Sequence, residues 1–192
     1  MKVIAFNGSA REKGNTRMLL DVVMKQLNGE GIETELIWLG NESLAGCRAC
    51  YLCMKNKDGL CSQDDKLNDY LKKMIEADGI LLGSPTYFAN VSANMKALIE
   101  RCGMVARVNG DLLKRKVGAG VVAVRRAGSF HVFSSLNAFF LIGQMIVVGS
   151  SYWNLGIGKD PGQVADDAEG IKTMEDLGQN MAWLLKRISG KG

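Results

Sequence analysis

Apolar and polar positions along this chain fall into short continuous blocks alternating with longer periodic ones. The run Val3-Ile4-Ala5-Phe6, closed by Asn7 and Gly8, fits a strand buried on both faces. Met18, Leu19, Val22, Val23 and Leu27 then recur at helical spacing until Asn28-Gly29 stops them. The segment from Ile32 to Leu39 begins polar-alternating and ends apolar, as a strand at or near a sheet edge does. After a cysteine-bearing interruption, Asp64-Asp65 is expected to cap a helix carrying Leu67, Tyr70, Leu71, Met74 and Ile75. Gly79 to Gly83 reads as a short buried strand that stops at Ser84-Pro85, because proline has no N–H for a ladder. A helix from about Ala93 to Arg107 places Met95, Leu98, Ile99 and Cys102 on one face. A strand over Val117 to Val124, a helix through Phe133, Leu136, Phe139 and Phe140, and a strand at Met145 to Gly149 follow. Residues 150–170, Gly-rich and weakly patterned, read as a long loop. Ile171, Met174, Leu177, Met181, Leu184, Leu185 and Ile188 form the apolar stripe of a closing helix.

Strand and helix thus alternate along the chain, a pattern that builds a parallel sheet covered on both faces with right-handed connections. The expected fold is a doubly wound α/β sandwich. Such sheets bind ligands outside the carboxyl ends of their strands, where the loops Gly8 to Thr16, Pro85 to Asn90 and Arg125 to Gly128 should converge.

The 192 residues, 47% hydrophobic and 23% charged, suffice for one domain over residues 1–192, with a cysteine-rich insertion at about 45–63. The net charge of +4 is dispersed, with Lys114-Arg115-Lys116 and Arg125-Arg126 as the short clusters, which argues against nucleic acid. No apolar run has the length needed to cross a bilayer, and Met1 leads directly into a strand, so a cytoplasmic protein without a membrane partner is expected. Four of the five cysteines are bunched, which points to metal or redox chemistry in a reducing compartment rather than a disulfide scaffold.

The first loop is furnished for an anion. A helix N-terminus presents unpaired N–H groups and the positive end of the macrodipole. Gly8 and Gly14 allow close backbone approach, Ser9, Asn15 and Thr16 bring short polar groups, and Arg11 adds a cationic fork. An ordinary strand-to-helix turn capped by Asn15 or Thr16 is the plainer alternative, but it leaves Ser9 and Arg11 without employment. Neither a nucleoside-triphosphate P-loop nor G-x-G-x-x-G is present. The second loop sets Tyr87 and Phe88 beside rigid Pro85, so a ligand with a phosphate at one end and a flat ring at the other fits, as flavin mononucleotide does. Core packing of the two aromatics is the alternative.

Gly8-Ser9-Ala10-Arg11 with Gly14-Asn15-Thr16, together with Gly83-Ser84-Pro85-Thr86-Tyr87-Phe88-Ala89-Asn90-Val91-Ser92-Ala93, resembles the NAD(P)H-dependent FMN reductase family of flavodoxin-like proteins, and most of all its iron-sulfur flavoprotein branch. The resemblance covers nearly the whole chain. It implies a five-stranded parallel sheet in the order 2-1-3-4-5 with helices on both faces, non-covalent FMN, NAD(P)H as electron donor, and a homodimer or homotetramer whose subunits help cover the flavin. By position it assigns the phosphate to Ser9, Arg11, Gly14, Asn15 and Thr16, and the ring to Pro85, Thr86, Tyr87, Phe88 and Asn90. Arg126, Ala127 and Gly128 supply the third loop, which departs from the more Ser/Thr/Gly-rich version of relatives.

Cys47-x2-Cys50-x2-Cys53-x7-Cys61 suits a single 4Fe-4S cubane, three thiolates coming from one turn of chain and the fourth from farther on. Structural zinc usually takes two separated pairs. The competing reading makes these cysteines small hydrophobes sharing one helical face, and relatives without a cluster keep similar cysteines followed by a paired Asp like Asp64-Asp65. Cys102 reads as core, and His131 as a surface residue at a helix start rather than a proton donor. Tyr152 and Trp153 are candidates for a lid or a subunit contact, and Arg125-Arg126 for the phosphates of NADPH.

Beside a binding or sensory protein that holds FMN or another phosphorylated ligand without turnover, two functions follow. In one, NAD(P)H reduces bound FMN, which passes electrons to a flavin, a quinone or another small acceptor. In the other, FMN and a cluster exchange electrons with a ferredoxin-like redox protein. No catalytic side chain is assigned, since the cofactor carries the chemistry.

Overall fold

β1 (Lys2–Asn7) is an interior strand of a parallel sheet ordered β2-β1-β3-β4-β5 in the computed structural model, which describes residues 1–190. β2 (Glu33–Trp38) is the edge strand, β3 (Gly79–Pro85) and β4 (Val117–Val124) continue the sheet, and β5 (Ile146–Val147) pairs with Val117 and Gly118. Side chains of β1 alternate between two cores because successive residues of a strand face opposite ways. Ile4 and Phe6 join a cluster with α3 (Leu67–Glu76), α4 (Ala93–Val108) and α5 (Ser129–Ile142). Val3 and Ala5 join the other, with α1 (Asn15–Gly29) and α6 (Ala168–Ile188). The doubly wound order of the expectation is therefore present, with both faces covered.

Three local expectations are corrected. The Gly-rich segment 150–170 contains a sixth strand, β6 (Leu155–Ile157), parallel to the carboxyl half of β4, and a 3-10 turn at Gln163–Asp166. A three-residue strand carries too little periodicity to be read from sequence. The fifth position of the sheet is thus shared, β5 beside the start of β4 and β6 beside its end, and β5 is shorter than Met145 to Gly149. β3 also runs two residues further than expected, ending on Pro85 opposite Ala123. Thr86 N–H donates to the Ala123 carbonyl at 2.9 Å, so the alternating side occupied by Pro85 faces β1, which has already turned at Gly8; no ladder donor is lost there.

Between β2 and α3 the chain makes one short helix, α2 (Leu52–Asn56), in an otherwise irregular path with left-handed backbone at Ala49, Tyr51 and Lys57. Cys47 and Cys50 precede that helix, so the shared helical face proposed for the cysteines does not form. Asp65 accepts the Leu67 N–H at 3.1 Å, but the N-cap position of α3 is Lys66, which makes no side-chain cap. Among the described residues, no helix is long and apolar enough to cross a membrane.

Candidate functional site

The turn after β1 is built by Asn7. Its side chain accepts from Ser9 N–H at 3.1 Å and donates to the Glu12 carbonyl at 3.2 Å, while Ser9 Oγ accepts from Arg11 N–H at 3.1 Å. Trp38, at the end of β2, donates its indole N–H to the Ser9 carbonyl at 2.7 Å. Gly40 makes that approach feasible, because a Cβ there would stand 2.3 Å from the same carbonyl oxygen. α1 then begins, with Gly14 as its N-cap and no capping side chain, so the plain Asn or Thr cap is not what these residues do. The first intrahelical bond is Met18 N–H to Gly14 O at 3.2 Å, which leaves the N–H groups of the preceding turn directed out of the helix end.

Thr16 supplies the sharpest observation. Its side chain is buried, yet its hydroxyl is the one buried side-chain polar atom among the described residues with no hydrogen-bond partner. An orphan of this kind carries a desolvation cost unless a ligand meets it. Asn15 behaves differently. Its amide donates to the Gly158 and Asp160 carbonyls, both at 3.0 Å, and accepts from Gly162 N–H at 2.9 Å and Val164 N–H at 3.4 Å. That side chain therefore ties the segment after β6 to the loop between β1 and α1, and the position leaves its backbone to a ligand.

The second loop is a tight reversal. Tyr87 and Asn90 exchange both backbone hydrogen bonds, N–H to O at 2.9 and 3.0 Å, with Phe88 and Ala89 at φ +48° and +57°. Two consecutive positive φ values define the turn type that normally takes Asn-Gly, so the conformation is strained. The Phe88 ring is fully exposed at its tip and Tyr87 is exposed beside it, which removes both from the core. Gly128, at φ +87°, closes the third loop against this one: a Cβ there would meet Ala89 at 3.1 Å.

The loops enclose a cavity of about 200 Å³. Ser9, Arg11, Gly14, Asn15, Thr16, Pro85, Thr86 and Tyr87 line it, as the motifs suggested. Phe88, Asn90, Arg126, Ala127 and Gly128 do not; they stand outside it, with Asn90 Oδ1 accepting from Val91 N–H at 2.8 Å. Ala123, Val124, Arg125, Gly158 and Lys159 complete the lining. Gly158 and Lys159 went unrecognised in the sequence because β6, which delivers them, left no pattern. His131 is exposed in the first turn of α5, as the plainer reading had it. Nearby on the surface, Trp153 packs against Tyr152 and Phe130 with ring centroids 4.9 and 6.4 Å apart.

The cysteine segment lies along α4. Asn94, near the start of that helix, donates to the Leu39 and Glu42 carbonyls; Glu100 accepts from Cys47 N–H; Asn109, at its end, donates to the Cys53 carbonyl and accepts from Gly59 N–H. Cys47, Cys50, Cys53 and Cys61 all line one small cavity, with Arg101, Met104 and Val105 of α4 as its floor. Cys47 and Cys50 are exposed and Cys53 and Cys61 half-buried, which is not how a free cysteine packs as a small hydrophobe. Cys102, by contrast, is fully buried, and burial pushes its thiol up to about 12.

A hydrogen bond with Ser62 at 3.3 Å, helped by backbone N–H groups, pulls the Cys50 thiol below its ordinary value, while burial pushes that of Cys53 up. Burial also works to raise the Asp65 carboxyl, but hydrogen bonds and charge from Arg101 outweigh it and hold the group below its usual range. Among the described residues, no three His, Cys, Asp or Glu side chains are placed to share a single metal ion. A polynuclear cluster sets a different requirement, because its thiolates bind separate irons and surround it rather than meet at a point. Four cysteines lining one cavity supply the donor type that a cluster uses.

Residues 1–160 match the model of the NADPH-dependent FMN reductase family. The chain is 41% identical to an iron-sulfur flavoprotein of Methanocaldococcus jannaschii over 98% of its own length and 99% of the relative's. Among solved structures it is similar to RosB, crystallised with an 8-demethyl-8-formylriboflavin-5'-phosphate intermediate, with a TM-score of 0.79 at 20% identity, covering 99% of this chain and 81% of that one. A flavodoxin, WrbA-like protein from Agrobacterium tumefaciens superposes with a TM-score of 0.68 at 14% identity over 97% of both chains. These likenesses establish the flavodoxin-like fold.

Proposed function

This chain belongs to the NADPH-dependent FMN reductase family, in its iron-sulfur flavoprotein branch, and from that premise we propose an electron-transfer oxidoreductase that holds FMN at the strand ends and a 4Fe-4S cluster at Cys47, Cys50, Cys53 and Cys61. The observation that carries this reading is the gathering of all four cysteines around one cavity, with two of them exposed instead of packed. When bound, FMN supplies the exchange between paired and single electrons, and the cluster supplies single-electron transfer.

The chain's own part is binding and orientation. Thr16 Oγ, the free N–H groups at the start of α1 and the Arg11 guanidinium take the phosphate. Ser9 contributes mainly by shaping the turn, since its hydroxyl already accepts from Arg11 N–H. Pro85, Thr86 and Tyr87 border the ring, and the strained turn at Phe88–Ala89 with Asn90, Arg126, Ala127 and Gly128 forms the outer wall. Exposed Phe88, Phe130, Tyr152 and Trp153 offer a second subunit an aromatic surface, in keeping with a homodimer or homotetramer. A reducing cytoplasm keeps the thiols available as ligands, and the electron partner is a ferredoxin-like redox protein.

A second reading has NAD(P)H as the donor and a flavin, quinone or other small molecule as the acceptor. Arg125 and Lys159 favour it, because both cations line the flavin cavity and, with Arg126, also an open basin beside it that Asp166 and Asp167 line as well.

Replacing Cys50 with Ser tests the main reading without disturbing the core, as Cys50 is exposed. Anaerobically prepared C50S protein is expected to lose most iron and acid-labile sulfide and to keep FMN at the unsubstituted ratio. Unchanged iron in C50S, or loss of FMN together with the iron, would count against two separate sites.

A further inference from the structure

Arg101 sits in the middle of α4 and is 2% exposed, the largest of the fully buried side chains. A buried charge is tolerated when paired, yet an apolar residue of similar volume is commonly no less stable in such a place. Arg101 has a partner in Asp65, but its guanidinium does more than pair. Its Nη1 donates to Asp65 Oδ2 at 2.5 Å and to the Ala45 carbonyl at 3.2 Å. Its Nη2 donates to Asp65 Oδ1 at 2.9 Å and to the Gln63 carbonyl at 3.3 Å. Its Nε–H donates to the sulfur of Cys61 at 3.3 Å.

All the N–H groups of the fork are thereby spent on residues 45 and 61–65, the two ends of the segment that carries the cysteines. Cys47, Cys50 and Cys53 are spaced closely enough for one turn of chain to present them together. Cys61 is not: Asn68 fixes its backbone, accepting from its N–H at 2.8 Å and donating to its carbonyl at 3.0 Å, and Arg101 fixes its sulfur. A hydrogen bond to a ligand sulfur, and net charge nearby, are among the main determinants of an iron-sulfur reduction potential. The donor stabilises the more negative, reduced form more than the oxidised one.

We propose that Arg101 is a positioning residue of the iron-sulfur site, seating Cys61 as the fourth ligand and, through its N–H···S bond, raising the reduction potential of the cluster. This inference rests on the reading of the four cysteines as cluster ligands. Asp65 shares in the device with the opposite sign: it fixes the fork but sets a negative charge beside the site.

The test is a redox titration of the reconstituted protein under anaerobic conditions, reading the cluster by electron paramagnetic resonance and FMN by visible absorption as the internal reference. Arg101→Gln removes the charge and the N–H···S donor and is expected to shift the cluster midpoint to more negative values. Asp65→Asn leaves the arginine charge uncompensated and is expected to shift it to more positive values. Arg101→Lys keeps the charge without the fork and should fall between Arg101→Gln and the unsubstituted protein. FMN content and midpoint are expected to hold in all three.

A role confined to structure would loosen the segment in each variant and give shifts of one sign, so same-sign shifts or unchanged cluster midpoints would overturn the proposal. Should Arg101→Gln fail to fold, Arg101→Lys and Asp65→Asn retain the opposed prediction. An unsubstituted chain that takes up no iron and sulfide on reconstitution would instead overturn the cluster reading itself, an outcome separate from the behaviour of the variants.

Discussion

Thr16 shows how a single residue can be read in two directions at once. Its hydroxyl is buried and unpartnered, a condition that costs about 1–3 kcal/mol until a ligand relieves it. Thr16→Val replaces the hydroxyl with a methyl of similar shape. The expected result is a more stable FMN-free protein in thermal melting, and FMN binding weakened roughly tenfold to a hundredfold, as for a lost hydrogen bond to a charged group. If both stability and affinity fall together, the hydroxyl does not face the phosphate.

Cys102 makes a second residue-level prediction, from its pKa. The buried thiol is raised from the ordinary 9.0 to about 12, so the folded state holds this proton more tightly than the unfolded chain does. That contribution to stability is fully present below about pH 9 and is lost as pH rises towards 12. In native protein at pH 10, alkylation followed by mass spectrometry should leave Cys102 unmodified, and denaturant should open it. Native modification at the rate of a free thiol would contradict the assignment. The sequence placed Cys102 in the core through the helical spacing of Met95, Leu98 and Ile99. The same periodicity passed over Arg101, because a charge between apolar positions reads as a solvated face unless its distant partner, Asp65, is known.

Elements differ in how much of their role the pattern carries. β1, β3 and β4 are continuous apolar blocks, and the order of the sheet was legible from their alternation with amphipathic helices together with a motif resemblance. β6 was not, since Leu155-Gly156-Ile157 is held by pairing with Val122, Ala123 and Val124 and by contacts with α6 rather than by any period of its own. Its consequence lies at the candidate site: the segment after β6 brings Gly158 and Lys159 into the cavity at the strand ends and is fastened there by Asn15.

That fastening separates two roles which the sequence merged. Asn15→Ala removes the amide's hydrogen bonds to the 158–164 segment and should destabilise FMN-free protein by about 2–3 kcal/mol, at about 1 kcal/mol per well-formed bond. Limited proteolysis should show earlier cleavage within that segment. A variant with unchanged stability and resistance, but weaker FMN binding, would return the Asn15 side chain to the phosphate.

At the scale of the whole molecule, the sheet provides one site and α4 organises the other. The strand ends and the loops that leave them shape the cavity proposed for FMN, as the topology of an open parallel sheet dictates. Along α4, side chains from Asn94 to Asn109 hold an irregular segment that has almost no secondary structure of its own. The spacing of the cysteines pointed to a shared role. Their arrangement was hidden, because it depends on these long-range bonds and not on local periodicity. The central claim is that one chain holds both a flavin and an iron-sulfur cluster. It is tested most directly by an anaerobic visible absorption spectrum of the purified, reconstituted protein, with iron, acid-labile sulfide and FMN quantified on the same sample. The account predicts flavin bands over a broad brown absorbance, with iron and sulfide in near-equal amounts; a plain flavin spectrum without iron after reconstitution would contradict it.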